Sequence, residues 1–329
     1  MNLLEEKKRQ HLIYNDIKKQ SNFLFNKETE YVLPLQQLLL ICKMLSNNNI
    51  QIENSICVVG GQAVAYWFSR YSHNHVLPKE LVSNDLDFCT RSSELNNLSN
   101  ILNVNITKNT GLPPSLGIFQ LINKDNGEFF THEGKYFLEP FDFEINGKQT
   151  PTLVDIIDCP NGFDLLDFHN NKSWLYTDEI ESVYTDLDFE KNAKIRILNP
   201  IATLESRLAN LKDARKLGKK QENEIERINA LLYPVSQYIL TKFKEKPYKE
   251  SKIYLAYLKD VLFKYRKLNQ QYDLSFENCF YSITGYLQNN AHEFENIPEL
   301  FINKGLFFMN NQFNEQVLLE NKKVKKPSC

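Results

Sequence analysis

The sequence predicts an α+β or α/β domain followed by a helical one, and three observations carry this reading. Short β-rich apolar runs alternate with helical periodicity up to about residue 200. Asn199-Pro200 then opens a stretch of almost unbroken helical pattern. A chain of 329 residues also exceeds one average domain. The expected division is an N-terminal helical arm over 1–33, a domain over 34–199 that contains the strands, and a helical C-terminal domain over 200–329.

Composition supports a folded chain: 42% of residues are hydrophobic, with 22 Phe and 16 Tyr, against 24% charged. No stretch approaches the roughly 20 apolar residues that a bilayer span needs. The start, Met1 to Arg9, turns charged where a signal peptide would need an apolar centre. A cytoplasmic protein with no membrane association is therefore expected. Six cysteines, Cys42, Cys57, Cys89, Cys159, Cys279 and Cys329, are scattered without a Cys-x-x-Cys pair, so they read as reduced thiols and not as a zinc site or disulfide framework.

In chain order, the first thirty residues are polar and lysine-rich. From Pro34, the residues Leu35, Leu38, Leu39, Cys42 and Leu45 recur at helical spacing until Asn47-Asn48-Asn49 stops them. Ser55 to Val59 is a short β-rich run ending at Gly60-Gly61, and Gln62 to Arg70 reads as a helix with Ala63, Ala65, Tyr66 and Trp67. A polar loop through His73 and His75 follows; with no Cys or third His nearby it reads as exposed loop and not as a metal site. In Glu80 to Cys89, Leu86 and Phe88 alternate with Asp85 and Asp87, so both carboxylates point the same way from a strand. Further strands are expected at 116–122, 136–145, 153–157 and 195–198. The helix after Asn199-Pro200 carries an apolar stripe of Ile201, Leu204, Leu208 and Leu211 beside a polar stripe of Thr203, Arg207 and Asn210. Helical pattern continues to about Asn290, and the basic tail at 322–327 reads as a solvated terminus.

Chemistry concentrates at two places. Two carboxylates on one strand face can share a hard divalent cation such as Mg²⁺ (or Mn²⁺). Glycines at a strand-to-helix turn let backbone N–H groups approach phosphate, at the helix end that favours its charge. An internal control exists: Thr185-Asp186-Leu187-Asp188-Phe189 nearly repeats the first Asp-x-Asp but lacks a glycine turn upstream. The glycine pair therefore singles out Asp85 and Asp87. Asp164 and Asp167 read more simply as carboxylates at a helix start.

Val58-Val59-Gly60-Gly61-Gln62-Ala63, a gap, then Ser83-Asn84-Asp85-Leu86-Asp87-Phe88 resembles the nucleotidyltransferase superfamily with the DNA polymerase β-like fold. The segment from Leu198 to Lys212 is similar to the helix after the active site in bacterial AbiEii-like nucleotidyltransferases. The resemblance spans roughly residues 35 to 230. It implies an α+β fold, with a nucleotidyltransferase-like mixed sheet flanked by helices as the catalytic domain. It also implies a third carboxylate on a later strand, for which Thr152 to Ile157 offers Asp155, with Asp158 as the alternative. Two departures stand out: Gln62 occupies a position where many members have Ser or Thr, and no arginine shortly precedes the Asp-x-Asp, Lys79 being the nearest base.

The resemblance implies a nucleoside triphosphate donor, with Asp85, Asp87 and Asp155 as catalytic and metal-holding residues. It assigns Gly60, Gly61, Gln62, Ser83, Arg207 and Lys212 to the nucleotide. Arg207 has an equal structural reading, its stem over the core and its charge on a neighbouring acid. By family analogy the chain is expected to act as a toxin or defence factor, with an antitoxin as partner. Between Thr241 and Leu268, nine Lys or Arg stand against three acids, interleaved with Phe243, Tyr248, Tyr254, Tyr257, Phe263 and Tyr265. This suits an RNA or tRNA acceptor, although an ordinary amphipathic helix with a lysine-rich solvent face explains it more simply. Two further readings share the same residues: a catalytically degenerate fold that holds a nucleotide without turnover, and a metal-dependent phosphodiesterase that activates water.

Overall fold

The computed structural model describes residues 56–71, 81, 86–108, 115–120, 124–127, 131–132, 135–136, 143–145, 148–150, 154–181, 194–213, 220–294 and 296–324. The expected N-terminal arm and the helix of Leu35 to Leu45 lie outside the described residues, as do His73, His75, Ser83, Asp85, Asp186 and Asp188. The chain divides into two compact units. One holds the described residues up to Asn199 other than Arg70 and Tyr71; the second holds those two and the residues from Pro200 onward.

The first unit is α+β, built on a mixed seven-stranded sheet. In chain order its elements are β1 (Ile56–Val58), α1 (Gly60–Tyr71), β2 (Leu86–Thr90), α2 (Leu95–Leu102), β3 (Thr107–Lys108) and β4 (Ser115–Phe119). Two small hairpins follow, β5 (Thr131–His132) with β6 (Lys135–Tyr136) and β7 (Phe143–Ile145) with β8 (Lys148–Thr150). Then come β9 (Val154–Ile157), a π-helical turn at Asp167–Asn171, α3 (Ser173–Tyr176), β10 (Thr177–Glu181) and β11 (Lys194–Leu198). The sheet order is β10-β11-β1-β2-β9-β4-β3. β1 runs parallel to β11 and β2 parallel to β9, while the other pairs are antiparallel.

Period-two alternation explains the faces. Val58, Phe88, Ile156 and Ile197 pair laterally in one row and are all buried. At about 1.5–3 kcal/mol for each large apolar side chain buried, such a row fixes the register of four strands. The edges are protected: β3 is two residues long and exposed, and β10 has the acid-rich sequence Thr-Asp-Glu-Ile-Glu. That charge is also why no strand is expected there from sequence. Of the stretch 136–145, expected as one strand, Tyr136 belongs to β6 and Phe143–Ile145 form β7, each in its own hairpin, and 137–142 lie outside the described residues.

α1 is tied to the sheet by Trp67, buried, whose indole N–H donates to the Leu198 carbonyl at 2.6 Å. The end of β11 is held twice more. The Asn199 N–H donates to the Tyr176 carbonyl at 2.9 Å, and the Asn199 side-chain amide donates to the Leu175 carbonyl at 2.6 Å.

The second unit is helical: α4 (Pro200–Lys212), α5 (Lys220–Glu245), α6 (Tyr248–Lys264), α7 (Arg266–Tyr272), α8 (Phe276–Asn289) and α9 (Leu306–Val324). Helix therefore continues past Asn290, because Ile302, Leu306 and Phe313 supply a further buried stripe. α4 begins at Pro200, a first-turn position where the missing N–H costs nothing. It is buried from Pro200 to Ala209, polar residues included. Each buried charge has a partner: Glu205 accepts from the Tyr257 hydroxyl and the Lys264 ammonium, both at 2.6 Å. Among the described residues no helix is long and apolar enough to cross a membrane.

Cys57, Cys89, Cys159 and Cys279 are free thiols. Burial pushes every one of them up, Cys279 to about 11 and Cys159 to about 12. Because the thiolate is the nucleophile, iodoacetamide at pH 8 is expected to leave Cys57, Cys89 and Cys279 unmodified in the folded protein, read by peptide mass spectrometry. Trp67→Phe removes the indole hydrogen bond and part of a buried ring. It is expected to lower stability by about 1–3 kcal/mol, measured by urea unfolding followed by circular dichroism.

Candidate active site

Past β1 the chain enters α1 through Gly60, whose φ is +68°. An L side chain is strained there by about 1–2 kcal/mol, and it would have no room. A Cβ on Gly60 would lie 2.8 Å from Cγ and 2.9 Å from Cβ of Asp87. The β1–β2 ladder continues one residue further, the Val59 N–H donating to the Asp87 carbonyl at 3.1 Å. The Asp87 carboxyl group thus fills the space that a side chain at position 60 would need, beside the start of a 12-residue helix. Unsatisfied N–H groups and the helix dipole favour negative charge at such a position. Gly61 and Gln62, the next two residues of α1, are buried.

β2 and β9 run parallel with Asp87 opposite Asp155 and Phe88 opposite Ile156. Laterally paired residues share a face, so the two aspartates project together from the face opposite Phe88 and Ile156. Both are half-buried, whereas Phe88 and Ile156 are fully buried. Adjacent strands lie about 4.8 Å apart. Two carboxylates about 5 Å apart at an effective dielectric near 20 repel by roughly 3 kcal/mol. A cation bound between them would offset that repulsion, and an all-oxygen donor pair suits a hard divalent ion.

Register also separates the two alternatives for the later carboxylate. Asp155 stands beside Asp87, while Asp158 lies beyond the far end of β9. The Asp158 carbonyl there accepts the Cys89 thiol at 3.1 Å and meets a His169 ring nitrogen at 2.6 Å. One neighbour of the pair was not expected from sequence: the Ser115 hydroxyl of β4 donates to Asp155 Oδ1 at 2.6 Å. Nothing in the sequence signals it, because the pairing of β4 with β9 is a tertiary fact.

Four further residues were expected at the site: Ser83, Asp85, Arg207 and Lys212. Ser83 and Asp85 are among the residues not described. Arg207 and Lys212 belong to the second unit. Arg207 is buried and donates to Glu224, Nη1 to Oε1 at 3.2 Å, and Arg227 donates to the same oxygen at 3.1 Å. The structural role weighed for Arg207 is thus filled by Glu224. Lys212 ends α4 and is exposed. Asp164 Oδ1 accepts the N–H groups of Leu166 and Asp167, the helix-start role expected of it. Hydrogen bonds from Lys172 and Asn171 hold the Asp167 carboxyl below its ordinary value.

Within residues 241–268, Phe243, Tyr254 and Tyr265 are buried, and Lys246, Lys249, Lys252 and Lys267 are exposed. The lysines face solvent, but half of the aromatic residues belong to the core of the second unit. Among the described residues, no group of three or more His, Cys, Asp or Glu is placed to hold a metal ion; Asp87 and Asp155 form a pair. Comparison with protein-family models, characterised proteins and solved structures gives no match.

Gly60→Ala is expected to destabilise the first unit by at least about 1–2 kcal/mol, from the left-handed backbone alone. Both tryptophans, Trp67 and Trp174, lie in that unit, so urea unfolding followed by tryptophan fluorescence measures the effect. Unchanged stability would contradict the close approach to Asp87.

Proposed function

We propose that the first unit is a metal-dependent nucleotidyltransferase, moving a nucleotide from a nucleoside triphosphate to a hydroxyl group of an RNA or protein acceptor. The observation that supports this most is the lateral pairing of Asp87 with Asp155 beside the glycine start of α1. The donor set fits Mg²⁺ or Mn²⁺, being carboxylate oxygens on one sheet face, with Asp85 two positions before Asp87 as the further ligand in this reading. When bound, such an ion supplies charge neutralisation for the triphosphate and acidifies the attacking hydroxyl.

The chain's own residues supply positioning. Gly60 and Gly61 open α1 without side chains, so their backbone can approach the donor phosphates, and the helix dipole favours the charge. The acceptor oxygen bonds to the α-phosphorus, the bond to pyrophosphate breaks with its electron pair on the leaving group, and the hydroxyl proton passes to Asp155. The exposed lysines Lys246, Lys249, Lys252 and Lys267 of the second unit suit phosphate contacts with an RNA acceptor.

The test incubates the full chain with Mg²⁺, total tRNA and each α-labelled nucleoside triphosphate, following label into RNA and protein and the release of pyrophosphate. Wild type is expected to transfer label. Asp87→Asn and Asp155→Asn are each expected to lose on the order of 10²-fold or more, the equivalent of several kcal/mol of transition-state stabilisation. Triphosphate hydrolysis without label transfer would replace this reading with a phosphohydrolase. Triphosphate binding without any product would replace it with a nucleotide-binding module.

A further inference from the structure

We propose that Ser115 is the positioning residue of the carboxylate pair, holding Asp155 Oδ1 so that Oδ2 is presented to a divalent cation shared with Asp87. This rests on the metal-dependent reading of the same site and adds a residue that no motif marks.

The argument begins with a β-bulge. On β4, Phe119 opposes Val154, Ile118 opposes Asp155 and Gly117 opposes Ile156. An uninterrupted ladder would set Leu116 opposite Ile157. The register instead shifts between Gly117 and Ser115, and Ser115 takes that place with Leu116 as the extra residue. Ile157 lies two residues beyond Asp155 and on the same face, so whatever opposes Ile157 is the diagonal neighbour of Asp155. The bulge therefore puts a hydroxyl where a regular strand would put the isobutyl group of Leu116.

Geometry shows that the hydroxyl is used. Ser115 Oγ lies 2.6 Å from Asp155 Oδ1, the length of a charge-assisted O–H···O⁻ bond, against 3.5 Å to the Gly117 carbonyl. A serine has one proton to donate, and the shorter contact takes it. Among the described residues, Ser115 is the one hydrogen-bond partner of the Asp155 carboxylate. Oδ2 is thus the oxygen that Ser115 does not engage, on a residue paired with Asp87 across the parallel ladder. Outer hydrogen bonds of this kind fix ligand orientation, and their loss typically weakens metal binding by about 10–100-fold.

The experiment measures Mn²⁺ binding to the full chain by electron paramagnetic resonance, with thermal melts in parallel, for wild type, Ser115→Ala, Ser115→Thr and Asp155→Asn. Ser115→Ala is expected to weaken Mn²⁺ binding about tenfold or more with the melting temperature little changed. Ser115→Thr, which keeps the hydroxyl, is expected to bind within a few-fold of wild type, and Asp155→Asn to lose binding. Should Ser115→Ala not fold, Ser115→Cys, close in volume but a weak donor, is expected to show the same loss. If Ser115→Ala binds Mn²⁺ as tightly as wild type while Asp155→Asn does not, the positioning role is wrong and the metal site stands. If wild type binds no Mn²⁺, the metal-dependent reading fails and takes the positioning role with it.

Discussion

The register of β2 between β1 and β9 is the constraint on which the acidic face depends. Side chains on a strand alternate with period two, so a slip of β2 by one residue would turn Asp87 into the core and bring Phe88 out of it. Burying Phe88 contributes about 1.5–3 kcal/mol to that register. Hydrophobic packing on one face therefore decides which side chains stand together on the other.

Gly60 ties this sheet row to the first helix. A positive φ and the absent Cβ allow α1 to start directly against Asp87, and Trp67, two turns along, fastens the same helix to Leu198. The glycine reads in sequence as a cradle for phosphate. In the structure its first physical reason is the approach of a carboxylate of the same chain. The two roles are compatible, since the N–H groups of a helix start can face more than one anionic group, but the closeness to Asp87 alone is enough to require glycine.

The second unit solves a different problem. α4 is buried along most of its length yet carries Glu205 and Arg207, and a buried charge without a partner costs several kcal/mol. Tyr257 and Lys264 donate to Glu205, and Glu224 accepts from Arg207 Nη1 while also receiving Arg227. Glu205 and Arg207 of α4 are thus paired within their own unit. The same logic separates the charged from the aromatic residues of 241–268: lysines with long stems reach solvent, while Phe243, Tyr254 and Tyr265 fill the core.

Features set by neighbouring residues are legible in the chain alone. Alternation of Asp87 with Phe88 assigned opposite faces, the glycine pair marked the strand-to-helix turn, and Pro200 marked the start of α4, because each follows from the geometry of a few consecutive residues. Leu95, Leu98 and Leu102 of α2 stood at helical spacing as well, in a stretch too polar to attract notice. Only the tertiary structure decided that Asp155 and not Asp158 stands beside Asp87, that a bulge seats Ser115 on Asp155, and that Glu224 occupies Arg207. The physical reason is that a backbone ladder pairs N–H with C=O whatever the side chains are. Which strands become neighbours, and in which register, is settled by how distant apolar residues pack together, and periodicity along one segment carries no record of that.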